Sequence, residues 1–229
     1  MSSGDEPGVI STTASVDSEP AGRPYRGELP HERALGRRRK LLDAGYELFG
    51  SNGFADTRIQ DVCAHAGVTA RHFYEAFADK DDLLVCVIDE VLADVTAAVS
   101  HAIGEVEQEP YAMSAAGLAS FFGTMLSDPR RARLVCLEVT SLPIERALVN
   151  VQVFVRLLDG YAAGLLAMGK IHVDDVHLIA VMLAGAIRQI LIDQLMSDEP
   201  ADIEALARST TQYFARIGDF APPDAPSLS

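Results

Sequence analysis

A chain of 229 residues with 48% apolar side chains is long enough and apolar enough to fill a real core, which excludes disorder along its whole length. Its formal net charge of -14 argues at first sight against nucleic acid, whose phosphates call for a basic footprint. Split along the chain, the charge says otherwise: residues 1–30 carry two basic and five acidic groups, residues 31–80 eight and seven, and residues 81–229 nine and twenty-one, so the acid is concentrated outside one slightly basic segment.

Cys63, Cys86 and Cys136 are too few and too far apart for a disulfide framework, form no CxxC or Cys/His metal signature, and are expected as reduced core thiols. His101, His172 and His177 show no metal-ligand spacing, and no metal or cofactor is expected. There is no uninterrupted run of about eighteen apolar residues, and the N-terminus is polar. Neither a membrane span nor a signal peptide is therefore expected, and the protein reads as cytoplasmic.

Residues 1–30, rich in Ser, Thr, Gly, Pro and Glu, read as a disordered tail. A first helix follows over about 33 to 51, with Leu41, Leu42, Ala44, Leu48 and Phe49 on one face and Asn52-Gly53 as its stop. The run Arg37-Arg38-Arg39-Lys40 is either a solvated face or a set of phosphate contacts. A second helix, about 58 to 65, is expected to be capped by Thr57 and to bury Ile59, Val62 and Ala66, with Cys63 at a close helix crossing. Gly67 takes a left-handed turn and Val68 plugs the core. Thr69 caps a third helix over about 70 to 76 that turns Phe73 and Phe77 inward. That spacing leaves Ala70, Arg71, His72, Tyr74 and Glu75 facing outward, the pattern of a helix-turn-helix that reads DNA.

This string resembles the DNA-binding domain of TetR/AcrR-type transcriptional regulators over residues 33 to about 90. The resemblance rests on Thr57, Ala66-Gly67-Val68-Thr69, Phe73-Tyr74, Phe77, Lys80 and Leu83-Leu84. It implies an all-α protein with an N-terminal three-helix helix-turn-helix domain (31–80), joined by a long fourth helix to a larger helical ligand-binding and dimerisation domain (81–218), and a loose tail (219–229). It implies sugar-phosphate contacts by Thr57, Thr69, Tyr74 and Lys80, and base contacts by Ala70, Arg71 and His72. Arg58 and Gln60 lie on the first turn of the second helix, where the helix dipole favours phosphate. Arg71 is the main candidate for reading sequence, because its fork matches guanine O6 and N7. His72 either contacts a base or a phosphate or covers Phe73. Glu75 and Ala76 depart from the family pattern; a carboxylate there points to a cytosine amino group, pairs with a nearby base, or weakens binding.

Asp79 is expected to cap a fourth helix running from Lys80 to about Gly104, a lever between the two parts. Further helices are expected near 111–126, 129–140, 143–168, 174–196 and 201–217, with Pro129, Pro143 and Pro200 at or near helix starts. The stretch 176–196 is apolar on nearly every side, more than a peripheral helix of a monomer can bury, which predicts a two-fold homodimer placing two reading helices on one palindromic site. The resemblance places a ligand pocket among the middle helices, with candidate lining residues Phe121, Phe122, Met125, Cys136, Glu138, Phe154, Tyr161 and Arg188. For Glu138 the alternative is a cap on a neighbouring helix or a pair with an arginine.

The leading expectation is a repressor that binds DNA as a dimer and is released by a small molecule; the alternative is a protein-binding module of the same fold with weak or no DNA binding. No GxSxG, P-loop, HExxH or dinucleotide fingerprint is present, and no enzymatic activity is expected.

Overall fold

The computed structural model describes residues 30–143 and 176–217, with isolated positions between them. In chain order the helices are α1 (Pro30–Asn52), α2 (Ile59–Ala66), α3 (Ala70–Ala76), α4 (Lys80–Gly104), α5 (Pro110–Leu126) and α6 (Pro129–Cys136). A 3-10 turn at Glu138–Ser141 follows, then α7 (Val176–Leu195) and α8 (Ile203–Ile217). No strand occurs among the described residues, so the protein is all-α. The helix expected near 143–168 lies mostly outside the described residues, and the one expected over 129–140 is interrupted at Leu137, where the chain tightens into the 3-10 turn.

Local chemistry sets most of these boundaries. Gly67 ends α2 at φ 65°, a left-handed conformation that costs glycine little. Asp79 opens α4 by accepting the Asp82 N–H at 2.7 Å, while Asp82 accepts the Ala78 N–H at 2.9 Å. Pro110 and Pro129 stand in the first turns of α5 and α6, where no intrahelical donor is lost.

One expected cap moves. Thr57 does not open α2: Arg58 occupies the cap position, and the Asp61 carboxylate accepts the Arg58 N–H at 2.9 Å. Thr57 is instead buried, and its hydroxyl donates to the Gly53 carbonyl at 2.8 Å, closing the turn between α1 and α2. A β-branched residue with one hydroxyl serves the buried turn as readily as a helix start; only the path of the chain distinguishes the two uses.

Buried side chains continue past residue 80 along α4. Leu83, Leu84, Val87, Ile88, Val91, Leu92 and Val95 are buried along α4. They join Leu41 and Phe49 of α1 to Phe122 and Met125 of α5, Leu134 of α6 and Leu191 of α7 in one continuous apolar cluster. α4 packs against α1 and against α5, α5 packs on α8, and α6 packs on both α1 and α7. At Gly50 the approach of α1 to α6 is close enough that a Cβ would sit 2.6 Å from the Arg130 Cβ, so no larger residue fits without moving α6.

The membrane expectation needs refinement. His177–Leu195 reaches the length and mean hydropathy, 1.6, of a helix able to cross a membrane. Its apolar residues divide between two faces. Ala180, Ala184, Ile187 and Leu191 are buried in the body, whereas Leu178 and Met182 are more than half exposed. Arg188 ties the inner side to α6 by donating from Nη2 to the Cys136 carbonyl at 2.8 Å.

Candidate DNA-binding site

Seven residues are too few for a helix to hold by itself in water, so α3 depends on its neighbours. Thr69, extended at φ -86°, accepts the His72 N–H at 3.4 Å and caps the helix start. Phe73 is wholly buried and meets Phe77 at 5.8 Å between ring centroids. Behind Phe77 stands the Arg38 guanidinium of α1, 4.5 Å from the ring centroid. The anchored helix leaves Ala70, Arg71, Tyr74 and Glu75 exposed, with the Tyr74 ring edge-on to Phe73 at 5.4 Å. His72 is half-buried, and its Nδ1 lies 3.1 Å from the Thr69 hydroxyl, which holds the ring back over the helix start.

Glu75 pairs with Arg71: the Arg71 Nε donates to Glu75 Oε1 at 3.0 Å, one helical turn apart on the outward face. Of the three roles open to this carboxylate from sequence, the free protein thus shows an intrahelical partner of opposite charge. Beside α3, Arg58 and Gln60 are exposed on the first turn of α2, where Asp61 already satisfies one N–H of the helix start.

Two residues expected at the sugar-phosphate backbone are engaged inside the protein. Thr57 is buried as described above, and its hydroxyl is committed to a carbonyl. The Lys80 ammonium donates to the carbonyls of Phe54 at 2.7 Å and Thr57 at 2.8 Å and stands 4.0 Å from the Phe54 ring centroid. Two of its three N–H groups therefore hold the turn before α2, leaving one for a phosphate. Sequence alone did not show this clamp, because its acceptors are backbone carbonyls. The basic run of α1 divides in the same way. Arg38 is packed against Phe77 and donates to the Cys86 Sγ at 3.4 Å, and Arg39 pairs with Asp43 and Glu90, each at 2.8 Å. Lys40 is exposed.

Among the residues expected at a ligand pocket, Phe121, Phe122, Met125 and Cys136 are buried in the shared core, and burial pushes the Cys136 thiol up to about 11. Phe154 and Tyr161 lie outside the described residues. Glu138 takes the alternative role considered from sequence. Its Oε1 accepts from Arg133 Nε at 2.9 Å and its Oε2 from the Phe54 N–H at 2.8 Å, which clasps the turn before α2 onto the end of α6. Among the described residues no cluster of three or more His, Cys, Asp or Glu could hold a metal ion.

A further α1–α6 junction centres on Asp128. Asp128 caps α6 through the Arg130 N–H at 3.0 Å, receives two guanidinium nitrogens of Arg130, and accepts from the Tyr46 hydroxyl at 2.7 Å. Arg130 also reaches Glu47 of α1. The Arg130 guanidinium holds the Asp128 carboxyl down to about 2, so its contribution to stability is complete above the ordinary carboxylate value and is lost as pH falls from about 4 towards 2. Melting temperatures measured across that window should fall less steeply in Asp128→Asn than in the wild type; parallel curves would contradict the assignment.

The profile of the bacterial regulatory proteins of the tetR family matches residues 41–87, which spans the end of α1, the two helices of the reading head and the start of α4. The chain is 24% identical over 179 residues to the fatty acid metabolism regulator protein of Bacillus subtilis, a match covering 76% of this chain and 91% of that protein. Residues 41–87 are a tetR-type DNA-binding domain. A second relative, the HTH-type transcriptional regulator EthR of Mycolicibacterium smegmatis, is 27% identical over 122 residues, 53% of this chain and 54% of that one. The fold agrees with the crystal structure of FadR from Bacillus subtilis in complex with stearoyl-CoA at a TM-score of 0.70 and 21% identity, over 78% of this chain and 98% of that one. With that domain, and with named regulators as its relatives, the chain is a TetR-type DNA-binding transcriptional regulator, with α2 and α3 as its helix-turn-helix.

Proposed function

We propose that the protein is a repressor that binds a palindromic operator as a homodimer and leaves it when a small molecule with a long apolar part occupies the larger helical body. The observation that carries this reading is the anchored α3, which turns Arg71 and Tyr74 outward from a wholly buried Phe73 beside the exposed Arg58 and Gln60 of α2. In this reading α3 enters the major groove, Arg71 pairs with guanine O6 and N7, and Ala70 and His72 lie against neighbouring base edges. Thr69, Tyr74, Arg58, Gln60 and the remaining N–H of Lys80 meet the sugar-phosphate backbone. Thr57 shapes the turn and touches no DNA.

The outward face of α7 supports the dimer. Leu178, Val181 and Met182 are exposed there, and nothing lies within 4 Å of a Cβ placed on Gly185, leaving room for a second helix to approach closely. The effector class is supported by the fatty acid metabolism regulator protein and by the FadR structure with stearoyl-CoA, both from Bacillus subtilis. In this chain the buried aromatic and thioether side chains of α5 would supply an apolar wall, with Phe154, Tyr161 and Arg188 further candidates. A ligand preferring a conformation with misplaced reading helices would shift the population off DNA.

Selection of duplexes from a randomised library with the full-length protein tests this. A palindromic consensus is expected, and Arg71→Ala, whose side chain is 86% exposed and carries no core contact, should weaken its binding by roughly ten- to a hundredfold. Stearoyl-CoA should release the wild type from the selected duplex. Failure to enrich any sequence at moderate salt would sink the repressor and favour a protein-binding module; retention of DNA in the presence of stearoyl-CoA would remove that effector class alone.

A further inference from the structure

We infer that Glu75 is a positioning residue for base readout, holding the Arg71 guanidinium in the orientation that meets guanine. This rests on the reading of Arg71 as the base reader. The Glu75 carboxylate takes the Arg71 Nε–H at 3.0 Å, while the Arg71 side chain is 86% exposed. An arginine on an open helix face samples many rotamers, and ordering it on DNA costs conformational entropy; a partner that fixes the guanidinium plane beforehand removes part of that cost. Because the carboxylate occupies the Nε edge, the two Nη groups stay available, and they are the donors that an O6/N7 acceptor pair requires.

Glu75 is suited to be the fixed member of the pair. It is the less exposed of the two, at 47%, and it borders a groove between α1 and α3 lined also by Leu35, Arg37, Arg38 and His72. The backbone beneath it is fixed by Phe73 and Phe77 in the core. Arg37 and Arg38 on the same groove offset the repulsion that a lone carboxylate would feel from phosphates. The ion pair itself adds little to the stability of the free protein, since both partners are hydrated. Its effect is expected in selectivity, where contact with DNA displaces water from the pair and strengthens the hydrogen bond.

The test compares dissociation constants for two duplexes, the one selected from the random library and one with the guanine facing Arg71 replaced. Wild type should discriminate by about tenfold or more. Glu75→Ala should cut that ratio several-fold, whereas Glu75→Gln, which retains an oxygen acceptor for the Nε–H without the charge, should keep most of it. Both variants should bind unrelated duplex more tightly to a similar degree, because both remove a negative charge. If Glu75→Ala tightens binding to both duplexes with the ratio unchanged, the carboxylate only repels and the inference is overturned. It is also overturned if Glu75→Gln and Glu75→Ala lose the same discrimination. Arg71→Ala separates the premise: discrimination at every position surviving that change would overturn the Arg71 assignment and the inference with it. Loss of discrimination in Arg71→Ala, with Glu75→Ala unaltered, would overturn the inference alone.

Discussion

Replacing Phe73 with alanine is expected to cost about 3–5 kcal/mol of folding stability and to abolish specific DNA binding. The ring is wholly buried, 5.8 Å from Phe77 and 5.4 Å from Tyr74 between centroids, and it is the one fully buried side chain of a seven-residue helix. No other residue of α3 can replace it, because the remaining faces are exposed or half-buried. Its loss leaves a cavity under the reading face, and a loss of that size is a large share of the stability of an ordinary domain. Urea denaturation should show the midpoint falling with little change in slope. Phe73→Leu, which refills most of the volume, should recover the greater part of the stability and of the binding. A midpoint unchanged in Phe73→Ala would mean that α3 is held by contacts other than its core anchor.

The second large effect is expected at Glu138. Its carboxylate is buried, pairs with Arg133 and accepts the buried Phe54 N–H from the turn before α2. Glu138→Ala leaves that N–H without its acceptor and Arg133 without its partner, a combined cost of about 2–4 kcal/mol. The lower part of that range is favoured because the Arg133 side chain is 39% exposed and can return to water. Glu138→Gln, which keeps one acceptor oxygen, should lose less. Hydrogen exchange reports the mechanism directly: the Phe54 amide should exchange much faster in Glu138→Ala than in the wild type. Unaltered exchange at Phe54 would show that the clasp does not hold the turn. Because this contact joins the end of α6 to the base of the reading head, the alanine variant should also loosen the proposed release from DNA by stearoyl-CoA.

The reading head was legible because its chemistry is local. Gly67 is needed by a left-handed turn, Thr69 caps the helix it precedes, and the four-residue spacing of Phe73 and Phe77 turns both inward; each signal lies within one turn of the element it specifies. Asp79 and the prolines at 110 and 129 mark helix starts for the same reason. What stayed hidden was chemistry between segments distant in sequence. The internal clamp of Lys80 was not legible because nothing in its own helix tells that the Phe54 and Thr57 carbonyls lie within reach. Thr57 could cap or bury, and Glu138 could line a pocket or clasp a turn. In each case the partner is supplied by chain folding, 84 residues away for Glu138.

By itself, then, the order of residues determined an all-helical protein, a helix-turn-helix at 57–77, and, apart from the half-buried His72, which α3 side chains face outward, since capping, glycine turns and helical periodicity act over a few residues. Tertiary structure decided which polar groups remain available for DNA and which are consumed internally. It placed buried side chains from both expected domains in one cluster along α4. The reason is physical: a hydrogen bond or ion pair depends on distances of about 3 Å, and only the packed chain brings such groups together.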